Sequence, residues 1–551
     1  MKNKLFIINI MMIAISSLCF SQSEKIELPD VTTIIEGGVQ SVKIPAPDLE
    51  IVAPLPLKTS DIVPVLPEEE IVEAPPMEKE AETVSDTVVE GKVGGGYPPS
   101  FVGQFGVKNN NKSEPYSIEF IHDSVAGLAG KSLNDCYNSV NTGIVLYKAM
   151  SFTNGNLTLS GNYASSTNGF QSAVENLSGL NQTFIDVDID YNLYISNISY
   201  LNMSLLGNFY NRYSDITNKD DNSQIASWQA ESRTLSFAPL IKYSRTFLND
   251  SLELEIKGIY NLDMDLKGSL VDSNTIYTSG KTLNRGLINA NVNWKNDNVY
   301  LSADAGLLFG SHQNDNKVIV PFDAKAVFTI PFKDYSSVGI TVEGGLKSQK
   351  TDIAQLEKKY KYSAFSFIPD ETSNWFGSFE ANMLIDNKFV VKGAVNYTQT
   401  ACNNGIWIPV YSGMPENGLY VYEMKNKTSL GSDVTVDFKY NMFKITGKFA
   451  LNLFDLEPLQ NRYEYYGKIQ YDSESNWKAF IEAKGALDAE DKLPVINTEV
   501  SLKLHPEVDD SVEIMLLTKD LIKLFSGAER NYAGCYICDS GSITLLLKFT
   551  L

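Results

Sequence analysis

The sequence predicts an all-β protein, a transmembrane antiparallel up-and-down β-barrel, and two observations support that prediction. From Gly91 onward, apolar and polar residues alternate in many segments separated by turn residues, as they do in strands with one apolar and one polar face. The chain also ends within such a segment, whose apolar face carries Ile543, Leu545, Leu547, Phe549 and Leu551. A lipid bilayer can bury many such faces if the strands close into a barrel.

The clearest strands favour a membrane barrel over a soluble β-sandwich, which would also point its charges outward. Between residues 185 and 195 every odd-numbered position is apolar or aromatic, whereas the even-numbered positions 186–192 are all Asp or Asn. Similar alternation occurs at 201–209, 252–264 and 434–452. Strands of about 9 to 14 residues with aromatic residues near their ends are typical of tilted spans through a bilayer.

Short turns and long polar stretches alternate along most of the chain. Turns are expected near 196–197, 249–250, 295–297, 333–336, 386–388, 441–442 and 472–476. Longer external loops are expected at 123–142, 164–181, 214–230, 263–283, 310–318, 348–372, 399–427 and 521–541. This order matches outer-membrane barrels, with about 22 strands and both termini in the periplasm.

The N-terminal part of the chain has a different composition. Lys2 and Lys4 precede an apolar run at 5–20, which predicts a cleaved signal peptide over residues 1–22. Residues 23–90 contain no aromatic side chain, hold 9 of the 21 prolines, and carry 16 acidic against 4 basic residues. Such a segment cannot bury enough surface to fold, so we expect a disordered Pro/Glu-rich periplasmic arm. The barrel is then expected over residues 91–551.

No motif for catalysis or cofactor binding is found, because the sequence lacks a GxSxG elbow, a P-loop and an HExxH pair. We therefore expect neither an enzyme nor a cofactor, and no nucleic-acid partner. Cys535 and Cys538 have CxxC spacing, but a zinc site needs about four ligands. In an exported protein this pair is either a small local disulfide or two inert thiols.

The last external loop, at 521–541, is expected to constrict the mouth of the barrel. Leu521, Ile522, Leu524 and Phe525 follow Asp520 at near-helical spacing, which predicts a short capped helix. These apolar residues meet no lipid on the external side, so the loop should fold inward.

The strand count, the alternation and three local strings resemble TonB-dependent receptors, the active importers of the bacterial outer membrane. The strings are 27–35, 91–97 and 520–534, the last followed by the final strand. The resemblance implies that the leader pairs as a strand with a TonB-like energising protein. The leader residues concerned are Asp30, Val31, Thr32, Thr33, Ile34 and Ile35. Receptors of this family place a folded plug between leader and barrel, but the composition of 23–90 argues against a plug here.

The expected function is transport of a small solute or nutrient across the outer membrane by a receptor-like barrel. A lumen of about 22 strands is too wide for side chains to fill, so it must be wet or blocked. Two alternatives remain open. One is a passive pore, and the other is a structural scaffold whose acidic arm tethers periplasmic partners. The sequence does not identify the substrate.

Overall fold

The computed structural model describes residues 87–551 with short gaps. The gaps are 111–113, 128–137, 173, 175, 218–220, 249, 268–269, 273–274, 278–281, 313–314, 334, 366, 403, 412–416, 459, 474–475, 490–492, 505–510, 527–529, 533–535 and 540. The predicted signal peptide, the arm up to residue 86 and Cys535 lie outside the described residues. So do all six leader residues, namely Asp30, Val31, Thr32, Thr33, Ile34 and Ile35.

The chain forms 22 barrel strands, as predicted. They are β1 (Thr87–Tyr97), β2 (Ser100–Asn109), β3 (Tyr116–Ala126), β4 (Asn138–Phe152), β5 (Gly155–Gly169), β6 (Leu177–Ser196), β7 (Ser199–Ile216), β8 (Ser232–Phe247), β9 (Leu252–Asp265), β10 (Thr282–Lys295), β11 (Val299–His312), β12 (Phe322–Lys333), β13 (Ser336–Gln349), β14 (Thr372–Ile385), β15 (Phe389–Thr400), β16 (Thr428–Tyr440), β17 (Phe443–Phe454), β18 (Tyr463–Asp472), β19 (Trp477–Ala486), β20 (Val495–Leu504), β21 (Ser511–Lys519) and β22 (Ser542–Thr550). The helices are α1 (Asp221–Ala230), α2 (Ile353–Lys359) and α3 (Leu521–Ser526).

Each strand pairs antiparallel with its neighbours in sequence, and β1 pairs with β22 to close the sheet. At the closure Gly91 lies opposite Phe549 and Tyr97 lies opposite Ile543. The amide of Val89 donates to the carbonyl of Leu551 at 2.9 Å, so the start of the barrel and its last residue meet at one end. Closure leaves no free edge among the barrel strands, which is what a lipid environment requires of a sheet.

The short turns lie at the end where β1 begins and β22 ends, which is therefore the periplasmic end. Several contain residues with positive φ, as tight hairpins require. In the turn between β14 and β15, φ is 49° at Asp386 and 54° at Asn387, and in the turn between β16 and β17 it is 51° at Asn441. The predicted turn positions are confirmed, and the longer connections fall at the opposite, external end.

Two expectations about the external side are wrong in detail. Strand β6 has 20 residues and β7 has 18, longer than the predicted spans. About 9 to 11 residues suffice to cross a bilayer, so these two strands extend beyond it, and the barrel wall is taller on that side. The stretch 310–318 is a hairpin instead of a long loop. There the short strand Asp315–Ile319 pairs with β11. Pro321 follows this strand and separates it from β12, which pairs with the rest of β11.

The outer surface of the barrel is apolar. On three consecutive strands the outward side chains of Ile241, Ile256 and Ile288 are 60%, 60% and 59% exposed, which would be unfavourable in water over so large an area. Exposed aromatic residues form a girdle near the periplasmic turns, and it includes Phe152, Tyr194, Phe332, Tyr335, Tyr440, Phe443 and Trp477. Such a girdle marks the level of the lipid headgroups.

Lysine on the outer surface should destabilise the barrel, whereas lysine on the inner surface should not. For Ile288→Lys we expect a loss of roughly 2–4 kcal/mol, the cost of a basic residue near the bilayer midplane. The control Asn291→Lys faces the lumen on the same strand, between Glu255 and Asp304. The measurement is urea-dependent refolding into lipid vesicles, and equal losses for both variants would contradict the assignment of the two faces.

Candidate functional site

Two external loops, 350–371 and 401–427, fold together over the mouth, and we call this unit the cap. Within it the short strand Ser363–Ala364 pairs in parallel with Tyr420–Lys425, which pairs antiparallel with Ile406–Pro409. The amide of Tyr420 donates to the carbonyl of Tyr362 at 2.8 Å. The cap therefore has a small sheet of its own, built from segments that lie far apart in the sequence.

Aromatic side chains form the core of the cap. The rings of Phe365 and Tyr422 stack with centroids 3.9 Å apart and planes within 1° of parallel, and Trp407 packs edge-on against Phe365. A second stack joins Tyr362 to Tyr536, also with centroids 3.9 Å apart. Because Tyr536 belongs to the loop between β21 and β22, a third loop contributes to this core.

A glycine permits close contact where these loops meet. Gly418 has a φ of +73°, and a Cβ there would lie 2.6 Å from Cγ2 of Val174 and 3.0 Å from the ring of Phe170. Its carbonyl accepts a hydrogen bond from the hydroxyl of Tyr536 at 2.7 Å. The position therefore needs both the left-handed backbone and the absence of a side chain.

A buried ion pair joins the cap to the barrel wall. Arg212 of β7 contacts Glu357 of α2, and both side chains are fully buried. The Arg212 guanidinium also donates to the carbonyl of Ala230 at 2.6 Å and to that of Phe365 at 3.0 Å. Glu357 accepts from the hydroxyl of Tyr210 and from the amide of Phe365. Both charges are thus hydrogen-bonded as well as paired, as buried charges must be.

Further contacts attach the cap around much of the rim. The hydroxyl of Tyr362 donates to the carbonyl of Gly169, the last residue of β5, at 2.9 Å. Lys350 pairs with Asp263 of β9, and Arg285 of β10 lies 3.0 Å from Glu371. The loop 350–371 emerges between β13 and β14 but contacts β5, β7, β9 and β10. Lys359, two residues after Glu357 in the same loop, pairs with Glu457 between β17 and β18, so the loop also reaches the opposite side of the rim and spans the mouth.

On the other side of the rim, one carboxylate holds both cap loops. Glu457, between β17 and β18, pairs with Lys359 of one loop and with Lys427 of the other, the latter at 2.7 Å. Burial disfavours the charged carboxylate, but the two lysines outweigh this effect and lower the pKa of Glu457 to about 2.

Because the pKa of Glu457 is depressed in the folded state, this link should stabilise the cap above about pH 4.5 and lose strength as the pH falls towards 2. Glu457→Gln should speed amide hydrogen exchange in 350–371 at pH 7, and its difference from wild type should shrink on acidification. The control Glu423→Gln removes a more exposed pair with Lys425, so its effect should be small. A difference independent of pH would contradict this role of Glu457.

A cavity lies beneath the cap against the lumenal wall. Polar side chains of β6 to β9 form one side, and residues 350–354 of the cap cover the other. Asp186 accepts hydrogen bonds from Asn208 at 2.6 Å and from Asn162 at 3.3 Å. The wall is therefore rich in carboxylate and amide groups that are fixed in place by their neighbours.

The last external loop confirms one expectation and corrects another. Helix α3 is present, and the Asp520 carboxylate accepts from the amide of Lys523 at 3.4 Å. However, Phe525 is 77% exposed, and it is Tyr536, fully buried, that reaches into the cap. Within the helix Lys523 is buried and Leu521, Ile522 and Leu524 are half-buried. Only the backbone of Cys538 is described, so the disulfide with Cys535 remains a prediction.

None of the helices in the described part of the chain is long and apolar enough to cross a membrane. Among the same residues, no group of three or more His, Cys, Asp and Glu side chains is arranged to hold a metal ion.

Solved structures with the same fold include transporters and an import receptor. The FrpB iron transporter from Neisseria meningitidis (F3-3 variant) has a TM-score of 0.61 and 9% identity over 84% of this chain and 81% of its own. The copper transporter OprC has a TM-score of 0.60 and 10% identity, with 84% and 80% covered. The ferric-catecholate import receptor Fiu from E. coli K12 has a TM-score of 0.57 and 9% identity, with 85% and 82% covered.

The fold is thus that of the TonB-dependent receptor barrels, as the sequence resemblance implied. No family model matches the sequence, and no curated protein matches it either. The apolar exterior, the aromatic girdle and the closed sheet identify the chain as an outer-membrane β-barrel.

Proposed function

We propose that the protein takes up a small solute or nutrient across the outer membrane, and that the cap is the gate the solute must pass. The observation that carries this proposal is the attachment of one loop, 350–371, to β7 through Glu357 and to the segment between β17 and β18 through Lys359, on opposite sides of the mouth. A passive pore has no need for a mouth covered by a packed aromatic core. The structural neighbours are an iron transporter, a copper transporter and a ferric-catecholate import receptor, which supports a role in uptake.

Recording of the purified full-length protein in planar lipid bilayers tests the proposal. We expect little steady conductance, because the cap obstructs the lumen at its external end. A large steady conductance from the intact protein would instead support the passive pore. Capture of periplasmic partners by residues 23–90, undiminished when that segment is detached from the barrel, would support the scaffold.

Energy for opening would come from a TonB-like protein that pairs with the leader. The β-branched residues of the leader suit an added strand, and proline removes a donor from such a ladder. We expect that the immobilised variant carrying Val31→Pro and Ile34→Pro no longer captures the periplasmic domain of a TonB-like partner. Barrel assembly, seen as heat-modifiable migration, should not change. Undiminished capture would show that strand pairing at the leader is not used.

A further inference from the structure

The cavity beneath the cap contains a buried carboxylate oxygen that lacks a hydrogen-bond partner. Asp263 of β9 is only 4% exposed. Its Oδ1 accepts from Ser236 and Lys350, but its Oδ2 has no hydrogen-bond donor among the described residues. Burying an unsatisfied carboxylate oxygen is costly, and such atoms are rare in folded proteins. The residue lines the cavity, so a ligand there could supply the donor that Oδ2 lacks.

The charge of the cavity favours a cation. Three carboxylates line it, those of Asp186, Asp263 and Asp352. The cations close to Asp263 are Lys350, which lines the cavity, and Arg285, which also pairs with Glu371. Aromatic rings also line the wall of the cavity, since Phe184 and Tyr210 stack with ring centroids 4.9 Å apart. Aromatic rings next to carboxylates are the usual surroundings of bound ammonium groups. An organic cation also fits the finding that no described group of ligands is arranged for a metal ion.

Below the cavity, apolar side chains of four neighbouring strands form a band on the lumenal wall. Leu240 of β8 lies opposite Ile259 of β9, Ile259 lies opposite Leu287 of β10, and Leu287 lies opposite Leu308 of β11. The side-chain alternation places these residues on the lumenal face, because Ile241 and Ile288 point outward. Ile259 precedes Asp263 by four residues on one strand, which corresponds to roughly 13 Å.

The geometry points to a binding site for an amphipathic organic cation. Its protonated amine donates to Oδ2 of Asp263, and its apolar part lies on Leu240, Ile259 and Leu287, since Leu308 is already covered by Ile319, Leu346 and Ala401. The site goes beyond the proposed function, because it concerns binding alone and holds whether or not the barrel imports its ligand. No property of the structural neighbours assigns it.

The test is calorimetric titration of n-hexylamine into the full-length protein in lipid nanodiscs, with empty nanodiscs subtracted. We expect saturable binding that Asp263→Asn weakens roughly 10- to 100-fold, the range for loss of a hydrogen bond to a charged group. The matched control is Asp437→Asn, which removes a lumenal carboxylate of β16 that already accepts from Thr446. This control should bind as wild type does.

A second comparison separates the two parts of the site. Ile259→Thr should weaken n-hexylamine but leave methylamine unchanged, since methylamine does not reach the band. Equal binding of n-hexylamine and sodium hexanoate would overturn the proposal, because a carboxylate cannot satisfy Oδ2. So would the absence of saturable amine binding, or equal effects of Asp263→Asn and Asp437→Asn.

Discussion

Glu357→Ala is expected to detach helix α2 from the barrel wall and to loosen the whole cap. The substitution leaves the guanidinium of Arg212 fully buried without its counter-charge, and breaking a buried pair in this way typically costs about 3–5 kcal/mol. It also removes the acceptor for the hydroxyl of Tyr210 and the amide of Phe365. Hydrogen exchange in 350–371 should rise by several orders of magnitude, while the barrel strands stay protected.

Two further variants make this prediction specific. Glu423→Ala breaks a more exposed pair with Lys425 in the same cap, so it should cost no more than about 1 kcal/mol. Replacing both partners, Arg212→Met with Glu357→Leu, removes the unpaired charge and should restore much of the protection lost in the single variant. Protection unchanged in Glu357→Ala, or lower still in the double variant, would show that the ion pair does not hold the cap.

Removing the cap loop is expected to convert a barrel with little steady conductance into a conducting pore. Replacing residues 351–370 by a short Gly-Ser linker deletes α2 together with the contacts made by Glu357 and Tyr362. The lumen of a barrel of 22 strands is wide enough for water once its cover is removed. Single-channel recording should then show large steady openings, which we do not expect from the intact protein.

The control is a similar shortening of 487–494, the loop between β19 and β20. That loop bonds to its neighbour through Asp488, which accepts from the amide of Arg462 at 2.8 Å. Shortening this loop should leave the protein with little steady conductance. If the cap deletion also shows little steady conductance, the lumen is obstructed somewhere other than the cap, and the proposed role of the cap as the gate is wrong. If both shortened proteins conduct equally, the opening reflects general damage to the rim.

The barrel could be predicted from the sequence because its strands and turns depend on residues that lie close together in the chain. Alternation at 185–195 places the Asp side chains on one face wherever the strand lies, and turns such as that at Asp386 and Asn387 follow from nearby residues. The cap depends instead on contacts between distant segments. Arg212 and Glu357 are 145 residues apart, and Arg212 reads as one more polar residue of an alternating strand.

One signal for the cap was available in the sequence. The loop 348–372, predicted to be external, contains Tyr360, Tyr362, Phe365 and Phe367, and so many aromatic residues outside the bilayer need a core of their own. The exposure of Phe525 shows what the sequence pattern could not predict. Helical spacing revealed an apolar face at 521–525, but it could not tell whether anything covers that face.

The cap also bears on the order in which the molecule can be made. The bond from Tyr362 to Gly169 spans 193 residues, and that from Tyr536 to Gly418 spans 118. Contacts of such long range form late, because a great length of chain must be ordered before they bring any benefit. Tyr536 itself precedes only the final strand. The contact of Tyr536 with Gly418 can therefore form only after the chain up to the last strand is in place, so the cover is expected to be completed late in biogenesis.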